Sequence, residues 1–236
     1  MEKAFVVSDI HGCYWQFIKL LEYWDKSMKL VVLGDLIDRG EASKQVVQEV
    51  MKLKEIYKDQ VVVLKGNHED MFLKFLQDPV QKGDIYFFNG GKSTVKDFID
   101  ERFVLHRSMK DLADLVLERA SNEVKFIRNL QLYEEFGDVL FVHAGIDPRL
   151  PDWRDTSEEC FVWTRDMVNH CNNTGKVIVY GHTPTKMIHS DQSSDIWISE
   201  DQLYINIDGG CAYGGQLNAI IVNAQGEIEQ TYRINH

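Results

Sequence analysis

The 236-residue chain has four prolines and four cysteines, and it lacks a disulfide framework, a basic tract and a long apolar run. Each absence excludes something. Cys13, Cys160, Cys171 and Cys211 lie far apart with no C-x-x-C pair, so reduced thiols are expected and a thiolate metal site is not. No cluster of Lys or Arg marks a nucleic-acid track. With 37 acidic residues against 26 Lys and Arg, the formal charge of -11 repels an extended polyanion. No stretch approaches the ~20 apolar residues of a membrane span, and the run Ala4–Val7 is too short for a signal peptide. A cytoplasmic location with no membrane contact is the resulting expectation. Hydrophobic residues at 44% and charged residues at 27% are ordinary for a folded globular chain, read here as a single domain over residues 1–236.

What is present is a repeated rhythm. Ala4–Val7 runs into Ser8-Asp9-Ile10-His11-Gly12, Leu30–Leu33 into Gly34-Asp35, and Val61–Leu64 into Lys65-Gly66-Asn67-His68. Short apolar runs of this kind suit strands covered on both faces. The segments between them carry apolar residues at helical spacing, as in Val46, Val47, Val50 and Leu53. Strand–helix alternation predicts an α/β fold with a mainly parallel sheet, whose ligands gather beyond the strand carboxyl ends. Residues from about 70 to 130 read as a helical insertion, with helices near 69–78, 92–101 and 109–129. That insertion serves equally as a wall of the site or as a packing layer. Beyond residue 130 the pattern turns to strands: a hairpin across Gly137-Asp138, a buried run at Val177–Tyr180, and an antiparallel meander from about 195.

Five polar clusters follow apolar runs: Asp9-x-His11, Gly34-Asp35-x-x-Asp38-Arg39-Gly40, Gly66-Asn67-His68-Glu69, His143-Ala144-Gly145 and Gly181-His182-Thr183-Pro184. Their Asp, His and Asn side chains are hard or borderline ligands suited to manganese, iron or zinc. Asp9 and His11, two apart at a strand end, share a face and can reach one ion. Singly, each cluster is a common surface or turn pattern; five in order constitute a signal. Glu69 is open between an acceptor behind the ligands and a helix N-terminal charge. Tyr86, Phe87 and Phe88 offer either an adenine pocket or core. Asp208-Gly209-Gly210 and Tyr213 read as a structural turn, and His106, His170, His189 and His236 as incidental.

These clusters resemble the phosphoprotein phosphatase branch of the calcineurin-like metallophosphoesterases. That branch includes bacterial serine/threonine phosphatases and dinucleoside tetraphosphatases. Arg39 directly after Asp38 is the mark of the branch. The resemblance implies two sheets packed as a sandwich and flanked by helices, in four α-β-β-α layers. It implies two divalent ions, manganese first with iron or zinc as alternatives. Asp9 and His11 would hold one ion, Asp35 would bridge, and Asn67, His143 and His182 would complete the second. It implies His68 as catalytic histidine supported by Asp38, with Arg39, Asn67 and Arg165 at the substrate phosphate. A hydroxide shared by two ions ~3.5–4 Å apart would attack phosphorus in line. Two ions less two carboxylates, with Arg39 and Arg165, make a cationic pocket inside an acidic protein. Lys65 stands where eukaryotic members carry arginine, keeping the charge without the fork. The expected substrate is a phosphoserine, phosphothreonine or phosphotyrosine protein, with a diadenosine tetraphosphate-type dinucleotide as the alternative. A binding module with a dead site is the least favoured reading, because no motif position is lost.

Overall fold

The computed structural model describes residues 2–100, 102, 104 and 106–236. The first sheet contains β1 (Lys3–Val7), β2 (Lys29–Val32), β3 (Val61–Val63), β9 (Gln216–Asn223) and β10 (Ile228–Asn235), in the order β10-β9-β1-β2-β3. The second contains β4 (Tyr133–Phe136), β5 (Val139–Val142), β6 (Val177–Tyr180), β7 (Trp197–Ile198) and β8 (Tyr204–Asn206), in the order β4-β5-β6-β8-β7. The helices are α1 (Tyr14–Leu21), α2 (Ser43–Tyr57), α3 (Asn67–Gln77), α4 (Pro79–Tyr86), α5 (Lys92–Ile99), α6 (Met109–Arg119), α7 (Ser121–Arg128) and α8 (Glu158–Trp163).

The two-residue period of the strands builds the layers. Phe5 and Val7, Leu30 and Val32, and Val61 and Val63 face the helices, while Ala4, Val6, Val31, Leu33, Val62 and Leu64 face the second sheet. Val139 and Phe141 complete that inter-sheet core, and Leu140 and Val142 turn outward to Trp153, Phe161 and Val162. The result is the expected α-β-β-α sandwich. Both faces of the central strands are covered, which is why their sequences are continuously apolar rather than alternating.

Three expectations shift in detail. The first sheet is mixed: β1–β2 and β2–β3 are parallel, but β9 pairs antiparallel with β1 and with β10. The expected meander is two hairpins in different sheets, because β8 joins β6 in parallel while β9 crosses to β1. Alternation reports a half-buried strand and says nothing of its partner. The crossing is a short 3-10 turn at Cys211–Tyr213, flanked by Gly210 and Gly214 in left-handed conformation. In the insertion, Asp78-Pro79 does not merely separate helices. The Asp78 carboxylate accepts from Gln81 N at 3.2 Å and Pro79 opens α4, so the pair starts a helix. The 109–129 segment breaks at Ala120 into α6 and α7. The hairpin across Gly137-Asp138 is present as β4–β5. Among the described residues, no helix is long and apolar enough to cross a membrane.

Candidate metal centre

The loops leaving β1, β2, β3, β5 and β6 deliver the five polar clusters to one edge of the sandwich, where Asp9, His11, Asp35, Asp38, Asn67, His68, His143 and His182 are all buried. The backbone there is unusual. Asp9, His11, Asp35, Asp38, Arg39 and His182 all have positive φ, between 46° and 73°. Asp and His tolerate this region better than most residues, and such conformations persist only where the surroundings enforce them. Two glycines allow the approach. A Cβ on Gly66 would lie 2.2 Å from Asp35 Oδ1, and one on Gly181 would lie 2.1 Å from Asp9 Oδ2.

Asp35 is the centre of the arrangement. His11, Asp35 and His68 bring ligand-capable atoms within 4.8 Å of one another, and so do Asp35, His143 and His182. Asp35 Oδ2 lies 3.3 Å from His11 Nε2, and Oδ1 lies 3.6 Å from His143 Nε2. Asn67 Oδ1 lies between the second pair, 3.1 Å from His143 Nε2 and 2.9 Å from His182 Nδ1. Asp9 reaches the same edge differently. Its carboxylate accepts from the His182 amide at 3.0 and 3.2 Å and from Ser8 Oγ, tying the first sheet to the second.

Each imidazole is fixed from behind. His11 Nδ1 lies 2.8 Å from Ile37 O and His143 Nδ1 2.9 Å from Leu33 O, which places those N–H groups on carbonyls and turns Nε2 inward. His68 instead places Nδ1 2.7 Å from Asp38 Oδ2. Its Nε2 is buried and has no hydrogen-bond partner. The other Asp38 oxygen accepts from Tyr86 Oη at 2.7 Å and from Thr94 Oγ1 at 2.6 Å.

Burial first, then neighbouring His68 and Arg39, hold His11 well below the usual histidine range; burial likewise lowers His68, His143 and His182. Burial, then the Asp9 and Glu69 carboxylates, push Asp35 well above the usual carboxylate range. Burial raises Asp38 to about 7. Neutral imidazoles around crowded carboxyl groups form a donor set whose repulsion a divalent cation relieves, so the residues fit the ions that their chemistry implies. The opposite shifts of Asp38 and His68 describe one dyad. Burial disfavours the charged form of each partner, and the Nδ1–Oδ2 contact leaves them a proton to share.

Arg39 and Arg165 stand at the rim. The Arg39 guanidinium contacts His11 Nε2 and lies 4.7 Å from the centre of the Tyr213 ring. Arg165, exposed just beyond α8, donates to His182 O and Thr183 Oγ1, both at 3.3 Å.

Several contributors carried no sequence signal. Tyr86 and Thr94 meet Asp38 from 48 and 56 residues away, and a lone Tyr or Thr in a helical segment looks like core or surface. Tyr86 is buried core with a polar end, whereas Phe88 is 90% exposed, so the aromatic trio does not act as one pocket. Glu69 performs both of its alternatives. It accepts from Gly66 N at 2.8 Å at the start of α3, and from Asp35 N and Leu36 N at 2.9 and 2.8 Å. Tyr213, read as part of a turn, also covers Arg39. His170 pairs with surface Asp166 at 2.7 Å, outside the centre.

The sequence profile of the calcineurin-like phosphoesterase family matches residues 3–204. The chain belongs to that family. Its members use divalent metals, and the two histidine–carboxylate groups sharing Asp35 are candidate sites for them. Among curated family relatives, the asymmetrical bis(5′-nucleosyl)-tetraphosphatase PrpE of Geobacillus sp. (strain WCH70) is 29% identical over 92% of this chain and 89% of its own. The protein of the same name from Anoxybacillus flavithermus (strain DSM 21510 / WK1) is 27% identical over 91% and 88%. Among solved structures, a putative diadenosine tetraphosphatase superposes with a TM-score of 0.66 at 19% identity, covering 99% of this chain and 93% of that one. A protein serine/threonine phosphatase from Saccharomyces cerevisiae gives 0.65 at 15% identity, covering 99% and 79%. Phosphoesterases with different named substrates thus share this fold.

Proposed function

We propose that this phosphoesterase hydrolyses dinucleoside polyphosphates of the bis(5′-nucleosyl) tetraphosphate kind, cleaving asymmetrically to a nucleoside triphosphate and a monophosphate. This reverses the order in which the motifs alone rank the substrates, where a phosphoprotein came first. The relatives named for the dinucleotide reaction match about nine-tenths of this chain, and their own length is covered almost as fully. The chemical part rests on one observation: two histidine–carboxylate groups meet at Asp35, and the first of them contains His68, whose buried Nε2 has no hydrogen-bond partner.

Asp9, His11 and Asp35 would hold one divalent ion, and Asp35, Asn67, His143 and His182 a second, with manganese foremost and iron or zinc as alternatives. Such ions supply Lewis-acid activation of water and charge neutralisation at phosphorus. The protein's own groups do the rest. Arg39, with Arg165 across the rim, binds and orients the phosphate through its planar fork. Tyr213 limits the positions open to Arg39. His68 donates its Nε2 proton to the departing phosphate oxygen, while Asp38 holds the ring and takes up the change in charge. Tyr86 and Thr94 fix Asp38 so that its second oxygen faces His68.

The test is a substrate panel on manganese-loaded protein with products resolved by chromatography. Diadenosine tetraphosphate should yield ATP and AMP with a higher kcat/KM than phosphoserine, phosphothreonine or phosphotyrosine peptides. Faster peptide hydrolysis transfers the chain to the phosphoprotein class. No turnover of any phosphoester removes the enzymatic reading altogether.

A further inference from the structure

No motif includes Lys186, yet the fold places it at the rim of the candidate metal centre. It lies in a 3-10 turn, Thr185–Met187, that follows directly on His182-Thr183-Pro184. That segment is pinned to the crossing between β8 and β9: Thr185 N donates to Asp208 O at 2.8 Å, and Asn206 Nδ2 donates to Thr183 O at 2.9 Å. The Lys186 backbone is therefore held close to His182 on one side and to the Cys211–Tyr213 turn on the other. Lys186 Nζ lies 5.4 Å from the centre of the Tyr213 ring, and the Arg39 guanidinium carbon lies 4.7 Å from the same centre. Both distances fall within the ~6 Å over which a ring face attracts a cation. Tyr213 and Lys186 are exposed. Among the described residues, Lys186 makes no ion pair or hydrogen bond. The carboxylates that act on the ring, Asp208 and Asp35, are buried; Asp208 accepts from Gly210 N at 2.9 Å, and Asp35 belongs to the metal centre. The Lys186 charge thus faces the rim without a protein counter-ion.

We propose that Lys186 binds the phosphate next to the scissile one, with Arg39 on the scissile phosphate and the Tyr213 ring setting the spacing of the two cations. The inference rests on the dinucleotide reading and deepens it, because it names a residue that selects a phosphate chain over a single phosphate. Two cations drawn to one ring repel each other, and an anion that spans them relieves that repulsion. The two cations suit different tasks. The planar fork of Arg39 fixes the orientation of the group that reacts. The ammonium of Lys186, on a flexible four-carbon stem, meets a neighbouring anion as a point charge and needs no set orientation. A monoester of serine, threonine or tyrosine has no second phosphate to offer it. Lys186 therefore contributes to the recognition of a polyphosphate and not to the chemistry at phosphorus.

The experiment compares Lys186→Ala and Lys186→Arg with wild type, all manganese-loaded. Lys186 is exposed, so its replacement spares the core. Two substrates are used: diadenosine tetraphosphate, and p-nitrophenyl phosphate, which carries a single phosphate. The ratio of kcat/KM for the dinucleotide over that for the short ester should fall about tenfold in Lys186→Ala, mainly through KM, and return to within about threefold of wild type in Lys186→Arg. A ratio within about twofold of wild type in Lys186→Ala overturns the assignment while leaving the dinucleotide reaction intact. A fall that arginine does not restore overturns it too, since either cation keeps a charge contact. If wild type cleaves no dinucleotide, the reading of function has failed, and titration calorimetry decides on Lys186 by itself. The probes are methylenediphosphonate, whose two phosphate-like groups are joined by a bond that water does not cleave, and orthophosphate. A fall of about tenfold in the ratio of their affinities in Lys186→Ala sustains a second-phosphate contact. An unchanged ratio, or no binding of either probe to wild type, overturns it.

Discussion

His68 and His143 are both buried imidazoles at the candidate metal centre, but what stands behind them differs. His143 places Nδ1 on the carbonyl of Leu33, a group that cannot take up a proton. His68 places Nδ1 on the carboxylate of Asp38. A carbonyl partner fixes a tautomer and leaves Nε2 as a lone pair, which suits a ligand. A carboxylate partner can share a proton and offset the charge of a protonated ring, which suits proton transfer. The surroundings reinforce the contrast. The His143 side is positioned largely by main chain, whereas Asp38 is gripped by Tyr86, Thr94 and the Ser43 and Thr94 hydroxyls that accept from its amide.

The largest expected effect breaks the comparison directly. His68→Ala should reduce kcat by ~10²–10⁴ with metal content retained, while His143→Ala should lose metal as well as rate. Elemental analysis beside kinetics checks this, and equal metal loss in both variants would erase the distinction. Next, Asp38→Asn keeps the shape but removes the charge behind His68, and should cost ~10–100-fold in rate; rates within a factor of two of wild type would show that orientation alone suffices.

A smaller effect concerns pH in chelator-treated protein. Asp38 is raised to about 7 in the folded state from 3.8, so the native state holds more protons across that window. Stability should therefore decline as pH rises from about 4 to 7, with this group contributing up to ~1 kcal/mol per pH unit, and level off above. Asp38→Asn should flatten that slope in denaturant titrations; an unchanged slope would assign it elsewhere, with Glu69, also raised to about 7 by burial, as the next group to replace. Smallest is Tyr86→Phe, which removes one hydrogen bond from Asp38 and should cost ~1 kcal/mol of stability, with a modest loss of rate. A loss equal to that of Asp38→Asn would mean that the tyrosine does more than hold the carboxylate.

Legibility in the sequence followed locality. The clusters after β1, β2 and β3 could be read because each follows its own buried strand, and a parallel order forces those ends together. His143 and His182 were readable for the same reason on the second sheet. The partners of Asp38 were not, because Tyr86 and Thr94 lie in helices whose apolar spacing reports only which side faces inward. Glu69 was ambiguous because its single side chain serves both its own helix and the loop at Asp35. The crossing from β8 to β9 was invisible for a different reason: adjacent alternating segments usually pair, and only the twin glycines around Cys211–Tyr213 hint at a change of sheet.

The pairing of β9 with β1 has a consequence for how the protein is made. β1, which leads into Asp9 and His11, is translated before β2 and β9, yet it lies between them, and β9 begins at Gln216. Contacts this distant in sequence form late. A nascent chain that has already released all five polar clusters still lacks the strand that seats the first of them. The order of translation thus leaves β1 without one of its two neighbours until β9 has been made.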